Sequence, residues 1–212
     1  TIQGGSHEYV KAFLKTFPGT VHTGCPVKKI ARENGGVRLW THEAEAVHDK
    51  VVIAAHADEA LAMLTDPSDA EAKLLSLWQY AQNRVILHRD TSCLPPLQAA
   101  WGSWNYRQAT KKAVRGPATL TYYMNQLQQL ACQHHYCVTL NPDYPLSPGH
   151  MIADLNYAHP MFDKDATATQ ADLPGLNGVN NTWFCGSYFR YGFHEDAVMS
   201  AAAVGKEFGI EL

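Results

Sequence analysis

A chain of 212 residues with 46% hydrophobic and 17% charged side chains can bury one large core or two small ones, which excludes a disordered or collagen-like polymer. Its formal net charge of −3 supplies no basic field to neutralise phosphates, so nucleic acid is not expected as a partner. No run nears the roughly 18 to 20 apolar residues of a bilayer span and the first residues carry no signal-peptide pattern, so the expectation is a cytoplasmic protein without a transmembrane segment, acting on small molecules.

In chain order, Tyr9, Val10, Phe13 and Leu14 recur at helical spacing within residues 7–16, and Pro18-Gly19 stops the pattern; this predicts a short amphipathic helix. Residues 20–23, 26–32, 36–41 and 46–47 are β-prone pieces separated by Asn34-Gly35 and a charged turn near Glu43, which reads as an antiparallel meander. The run VVIAA between Lys50 and His56 predicts a strand buried on both faces, with a helix following over 59–64. Ser68 with Glu71 three residues on forms a capping-box signature for a helix reaching Leu74, Leu75 and Trp78. Residues 84–88, 119–124 and 136–140 read as strands, 101–106 is aromatic-rich, and 127–135 reads as a short helix. Residues 143–181, rich in Pro, Asp, Asn and Gly, are expected to form long connections. A buried strand over 182–185 and a final helix over 195–208 close the chain.

The stretch TWFCGSYFRYGFHEDAVMSAAAVGKEFG, residues 182–209, is the most informative. An apolar strand ends at Gly186, a connection containing Gly192 follows, and a helix begins near His194, Glu195 and Asp196 with Ala197, Ser200, Ala201 and Val204 on one small face. Such a face permits close approach to a backbone or a flat ring, and the helix start directs N–H groups and partial positive charge forward. Those features suit the N1 and C2 carbonyl region of a reduced flavin; spacing alone equally allows a helix packed after a core strand. Five scattered cysteines suit reduced thiols. Cys132, His134, His135 and Cys137 lack the paired spacing of structural zinc sites, so no metal is expected. His56 reads as a satisfied polar group at a strand end. There is no G-x-S-x-G elbow, no clear acid–base pair and no G-x-G-x-x-G fingerprint, so neither a hydrolase nor any catalytic residue is indicated.

FCGSYFRYGFHEDAVMSA resembles the C-terminal FAD-contacting motif of flavin amine oxidoreductases. Its Gly-Phe-His-Glu-Asp variant resembles a subgroup of FAD-binding oxidoreductases that includes the amine-oxidase-like domain fused to plant cyclopropane fatty acid synthases. GGSHEYVKAF, CPVKKIARENGGVRL, DKVVIAAHADEALAML, WNYR, TYYMNQLQ, VTLNP and Ala158-His159-Pro160 match in order, so the resemblance covers nearly the whole chain. It implies a mixed α/β fold: part of an amine-oxidase-type FAD-binding domain over 1–65 and 175–212, a substrate or cap domain over 66–174, and no first Rossmann βαβ unit. It implies FAD contacts from Val27 on the adenine side and from Ala55 and His56 near the pyrophosphate and ribose. Gly186, Ser187 and Gly192 would follow the pyrophosphate and ribityl chain, and His194, Glu195, Asp196 and Ala197 would lie under the flavin ring. Ser187 stands where many relatives carry an acidic residue, which removes an expected carboxylate contact. Trp104, Tyr106 and Tyr122 would line a substrate pocket, although aromatic residues alternating along a strand are as often core.

The implied activity is hydride transfer from a small or lipid-like substrate to FAD in a longer parent. Because the sequence opens at Thr1 without methionine, it is expected to be a fragment, inactive and not holding FAD without the parent's N-terminal Rossmann segment. The rival expectation is a non-catalytic interaction or scaffold domain that has lost flavin binding.

Overall fold

A computed structural model of the chain describes residues 2–33, 35–107 and 119–210. They form two compact units, Thr20–Ala81 with Pro160–Leu212 and Thr1–Gly19 with Gln82–His159. These divisions differ from the boundaries expected near 65 and 174. The first helix, α1 (His7–Thr16), belongs to the second unit. The helix after residue 66 and the segment 160–174 belong to the first, because Leu74, Leu75, Trp78, Ala166 and Leu173 enter the same core as Ile53 and Phe184. The stripe predicted on α1 is present but uncovered: Tyr9, Phe13 and Leu14 are all exposed.

The first unit opens with the expected meander, β1 (Lys29–Glu33), β2 (Gly36–Trp40) and β3 (Glu45–His48), in the order β1-β2-β3. Residues 20–23 are not a strand, and Asn34 of the expected turn lies outside the described residues. Ile30 and Val37 are 2% and 0% exposed and seat the meander on the core. Next comes β4 (Val51–Ile53), shorter than predicted and not buried on both faces: only Ile53 is buried, while Val52 is 46% exposed. Helix α2 (Ala57–Met63) lays Ala57 and Ala60 against the core. The predicted capping box starts α3 (Asp69–Leu75). Glu71 Oε2 accepts from Ser68 N–H at 2.7 Å and from Arg32 Nη2 at 2.9 Å, which ties the helix to β1.

The second unit is built on a five-stranded sheet of β5 (Tyr80–His88), β6 (Trp104–Arg107), β7 (Thr119–Tyr123), β8 (Cys137–Leu140) and β9 (Met151–Pro160), ordered β6-β7-β8-β5-β9. Both β5 and β9 carry the chain across the unit division. Strand β9 and helix α5 (Lys164–Ala168) fall where only connections were expected. The turn-forming composition there is overridden by pairing and by ties such as Arg84 to Asp154, 2.6 Å. The helix expected over 127–135 is only α4 (Met124–Leu127); Gln129 adopts φ +53, which a continuing helix does not permit. Side chains alternate between the sheet faces with period two. Asn105, Thr121, Thr139 and Ile86 form one cross-strand row, and Trp104, Tyr122, Val138 and Leu87 form the next. The first row lies on the covered face, where Thr121 and Thr139 are 2% and 0% exposed and satisfy each other at 2.8 Å. The aromatic row lies on the open face.

Back in the first unit, β10 (Thr182–Phe184) is wholly buried and pairs in parallel with β4, and the chain closes with α6 (His194–Glu207). All five cysteines are free thiols. Among the described residues no helix is long and apolar enough to cross a membrane.

Candidate functional site

Strands β4 and β10 end side by side. Ile53 pairs with Phe184, and Cys185 N–H donates to Ile53 O at 3.2 Å. The carboxyl ends of parallel strands are where open α/β sheets bind ligands. Just beyond them Ala55 and Gly186 meet: a Cβ on Gly186 would stand 3.6 Å from Ala55 O, but 2.6 Å from Tyr188 Cε1. That last distance admits no side chain, so the glycine is required by the close packing of the turn. Gly186 N–H donates to Ser200 Oγ at 2.9 Å, and the Ser200 hydroxyl donates to Ala197 O at 2.7 Å. These bonds hold α6 against the strand end. They explain the small face predicted there, except that Ala201 lies outside the buried line of Asp196, Ser200 and Val204.

His56 follows β4 and precedes α2, with its ring stacked on Tyr80 at 4.3 Å and its side chain 42% exposed. Ala57 N–H donates to Tyr80 Oη at 3.0 Å. Burial, reinforced by the charges of Asp58 and Glu59, pushes the Tyr80 phenol up to about 12, so it stays neutral at ordinary pH.

At the start of α6 the structure brings Gly192, His194, Glu195, Asp196 and Ala197 together. Gly192 sits at φ +88 with the Phe162 ring 2.8 Å from where its Cβ would be, so both conformation and space demand glycine there. The Asp196 carboxylate is turned into the loop, accepting from Phe193 N–H at 3.0 Å and Tyr191 N–H at 3.2 Å. It shapes the loop from a buried position. His194 and Glu195 lie exposed on the first turn and Ala197 is half-buried. The Ser187 carbonyl accepts from Gly192 N–H at 3.1 Å and Arg190 N–H at 3.2 Å, closing the loop between strand and helix. Val27 packs half-buried against the core two residues ahead of β1. Ser200, expected on the small helix face, supports this region together with Tyr80, Tyr188 and Gln170, which donates to Tyr188 O at 3.0 Å and which, like the two tyrosines, was not singled out from the sequence. Tyr80, Tyr188 and Gln170 carried no local signal of this role.

In the second unit Trp104 and Tyr122 contact edge to face at 5.4 Å. Trp104 is 58% and Tyr106 67% exposed, so these two are surface and not core, while Tyr122 is half-buried. Tyr106 lines a cavity of about 340 Å³ with residues 92–96, Asn105 and Arg107. The Cys132, His134, His135 and Cys137 group is not gathered: His135 Nδ1 bonds Tyr123 Oη at 2.8 Å, Cys132 is exposed and donates to His134 O at 3.3 Å, and Cys137 is buried.

Comparison with known proteins adds an independent line. A model of the family described as flavin containing amine oxidoreductase matches residues 1–131, more than half of the chain. No curated protein matches the chain. Among solved structures, a CLA-producing fatty acid isomerase from P. acnes superposes with TM-score 0.66 at 16% identity, over 97% of this chain and 52% of that one. A reduced UDP-galactopyranose mutase superposes with TM-score 0.65 at 14% identity, over 97% and 52%. A wild-type putrescine oxidase bound to putrescine superposes with TM-score 0.64 at 11% identity, over 97% and 53%. The chain thus shares their fold and spans about half their length.

Proposed function

Because the chain belongs to the flavin-containing amine oxidoreductase family, we propose that the whole protein carrying it is an FAD-dependent oxidoreductase acting on a lipid-like substrate, with the first unit in the FAD-binding domain and the second as the substrate domain. The observation that carries the cofactor reading is the meeting of two parallel strand ends, the Gly186 turn and the first turn of α6. The fit to a flavin rests on the helix start and not on space at the glycines, which the Tyr188 and Phe162 rings fill: a 14-residue helix begins at an exposed surface where its partial positive charge favours an anionic reduced ring. Ala55, Gly186, Ser187 and Gly192 would follow the phosphate and ribityl part, and His194, Glu195 and Ala197 would face the ring. Asp196 would act from behind, by holding the loop amides. Val27 and His56 would stand toward the adenosine end. Bound FAD would supply the two-electron acceptor, while the protein orients the substrate and keeps water away.

Two features support a lipid-like substrate. The open sheet face presents Trp104, Tyr106 and Tyr122 beside Val138 and Leu87, an apolar surface suited to an acyl chain. One structure of the same fold is a fatty acid isomerase, and the resemblance to the domain fused with cyclopropane fatty acid synthases points the same way.

The test is to purify the intact protein and record its visible spectrum. It should be yellow and release FAD on denaturation, and anaerobic addition of an unsaturated fatty acid, but not of putrescine, should alter the flavin bands. The 212-residue piece by itself should be colourless. A colourless intact protein that cannot be reconstituted with FAD would replace this reading with that of an interaction domain.

A further inference from the structure

The covered face of the sheet holds a group that the flavin reading does not use. His88, the last residue of β5, is in register with Cys137, the first of β8, so their side chains leave the same face at a spacing of roughly 5 Å. The turn after β5 folds back and brings Cys93 to them, its thiol donating to Asp90 O at 3.2 Å. A ring nitrogen of His88 and the sulfurs of Cys93 and Cys137 all lie within 4.8 Å of one another, and all three residues are buried. We propose that His88 Nδ1, Cys93 Sγ and Cys137 Sγ form a binding site for one thiophilic d10 metal ion, Cu(I) or Zn(II).

The histidine supplies the independent observation. Its Nε2 is bonded to Thr139 Oγ1 at 2.8 Å, whereas Nδ1 is buried without any hydrogen-bond partner. Leaving such a nitrogen unpaired in a buried site is unfavourable. With the ring proton on Nε2 and donated to Thr139, Nδ1 presents a lone pair, the arrangement in which an outer hydrogen bond fixes the tautomer of a metal-bound imidazole. The same threonine bonds Thr121 at 2.8 Å, which anchors that outer partner in turn. A Cys93–Cys137 disulfide would leave Nδ1 as it is; a metal ion answers it.

The donor set is that of soft or borderline ions, since two thiolates and one imidazole suit Cu(I) and Zn(II) and disfavour Ca(II) and Mg(II). Metal–sulfur and metal–nitrogen bonds of about 2.3 and 2.0 Å place ligand atoms roughly 3.4–3.8 Å apart, so the site closes by at most about 1.4 Å on loading. Binding releases two thiol protons to solvent and leaves the oxidation state of the sulfurs unchanged. Cu(I) is satisfied by three donors. Zn(II) needs a fourth, and the Tyr144 hydroxyl is at hand: its ring packs on this cluster and its oxygen is buried without a partner. Leu94, Trp101 and Tyr123 complete the shell, which makes the site structural, a clip joining the end of β5, the turn at 91–94 and the start of β8.

The intact protein, purified without oxygen and stripped with a chelator, is offered Cu(I) or Zn(II) separately and its metal content measured by mass spectrometry. Roughly one equivalent of one of the two ions is expected to remain after dialysis. The equivalent should be lost in His88→Gln and in Cys93→Ala, and kept in Cys25→Ala and Cys132→Ala. X-ray absorption on the unmutated loaded protein should show two sulfurs and one imidazole nitrogen, which decides the matter even if the buried variants fold poorly. Stoichiometric uptake of neither ion, a metal shell without sulfur, or a Cys93–Cys137 disulfide in the anaerobic protein would each overturn the proposal. None of these results depends on flavin content.

Discussion

Replacing Gly186 by alanine tests whether the strand end is shaped by a close approach. The added Cβ would stand 2.6 Å from Tyr188 Cε1 and 2.9 Å from Cδ1, against about 3.5–4.0 Å for an ordinary carbon contact. The backbone at Gly186 is extended, φ 161 and ψ 169, so no dihedral penalty enters and the cost is entirely steric. The ring would have to withdraw by about 1 Å, yet it is 1% exposed and flanked by Trp78 at 5.7 Å and Phe189 at 4.9 Å. Overpacking of this kind costs about 1–3 kcal/mol, and a ring so enclosed puts the expected value near 2 kcal/mol. With a urea slope of about 2 kcal/mol per molar, the unfolding midpoint should fall by about 1 M. Tyr188→Ala alone should cost about 3–5 kcal/mol through the cavity it leaves. In the double variant the clash is gone, so its loss should fall short of the sum of the singles by about 2 kcal/mol. Urea unfolding of the four proteins closes the cycle. A midpoint for Gly186→Ala within about 0.2 M of the parent, or strict additivity in the double variant, would refute the steric argument.

Glu71→Ala should be more damaging than its position on a short helix suggests, because Glu71 and Arg32 side chains are 2% and 5% exposed and the guanidinium would stay buried. Since Asp66 remains on Arg32 Nε at 3.1 Å, the expected loss is about 3 kcal/mol, the low end for a broken buried pair, against about 1 kcal/mol for Ser68→Ala, which removes only the cap. Equal losses in thermal unfolding of the two variants would show that the ion pair contributes little. Alkaline titration followed by ultraviolet absorbance should find Tyr80, Tyr144 and Tyr188, of the ten tyrosines, still un-ionised at pH 11. Burial raises all three, Tyr80 and Tyr144 to about 12. Folded values above the unfolded value of about 10 mean that stability is intact below that pH and lost as pH rises from about 10 through 12; ionisation of all ten by pH 11 in the folded protein would contradict this. Trp104→Ala and Tyr106→Ala, at exposed positions, should change stability by no more than about 0.5 kcal/mol while raising KM for a fatty-acyl substrate about tenfold with little change in kcat. An unchanged KM in steady-state assays would remove the open sheet face from the substrate site.

Features that depend on neighbours in the chain were legible from the amino-acid order. The Ser68–Glu71 capping box, the meander apart from its expected first piece at 20–23, the buried TWF strand and the final helix were readable, because a cap spans three residues, a strand alternates every two and a helix face recurs every three or four. The strand, turn and helix around Gly186 and Gly192 were legible for the same reason. Tertiary structure decided what depends on partners distant in sequence. Strand β9 exists because the sheet offers it a neighbour, despite a composition suited to turns; β4 is half-exposed because burial is set by what lies across from a strand and not by its own apolarity. Asp196 looked like a ligand group and is engaged by the amides of its own loop. The sharpest case is Cys137: read locally it belongs with Cys132 and His134, yet the register of β5 against β8 sets it beside His88, 49 residues earlier. Pairing across a sheet fixes a residue's neighbours by hydrogen-bond register, and no short window of sequence contains that information.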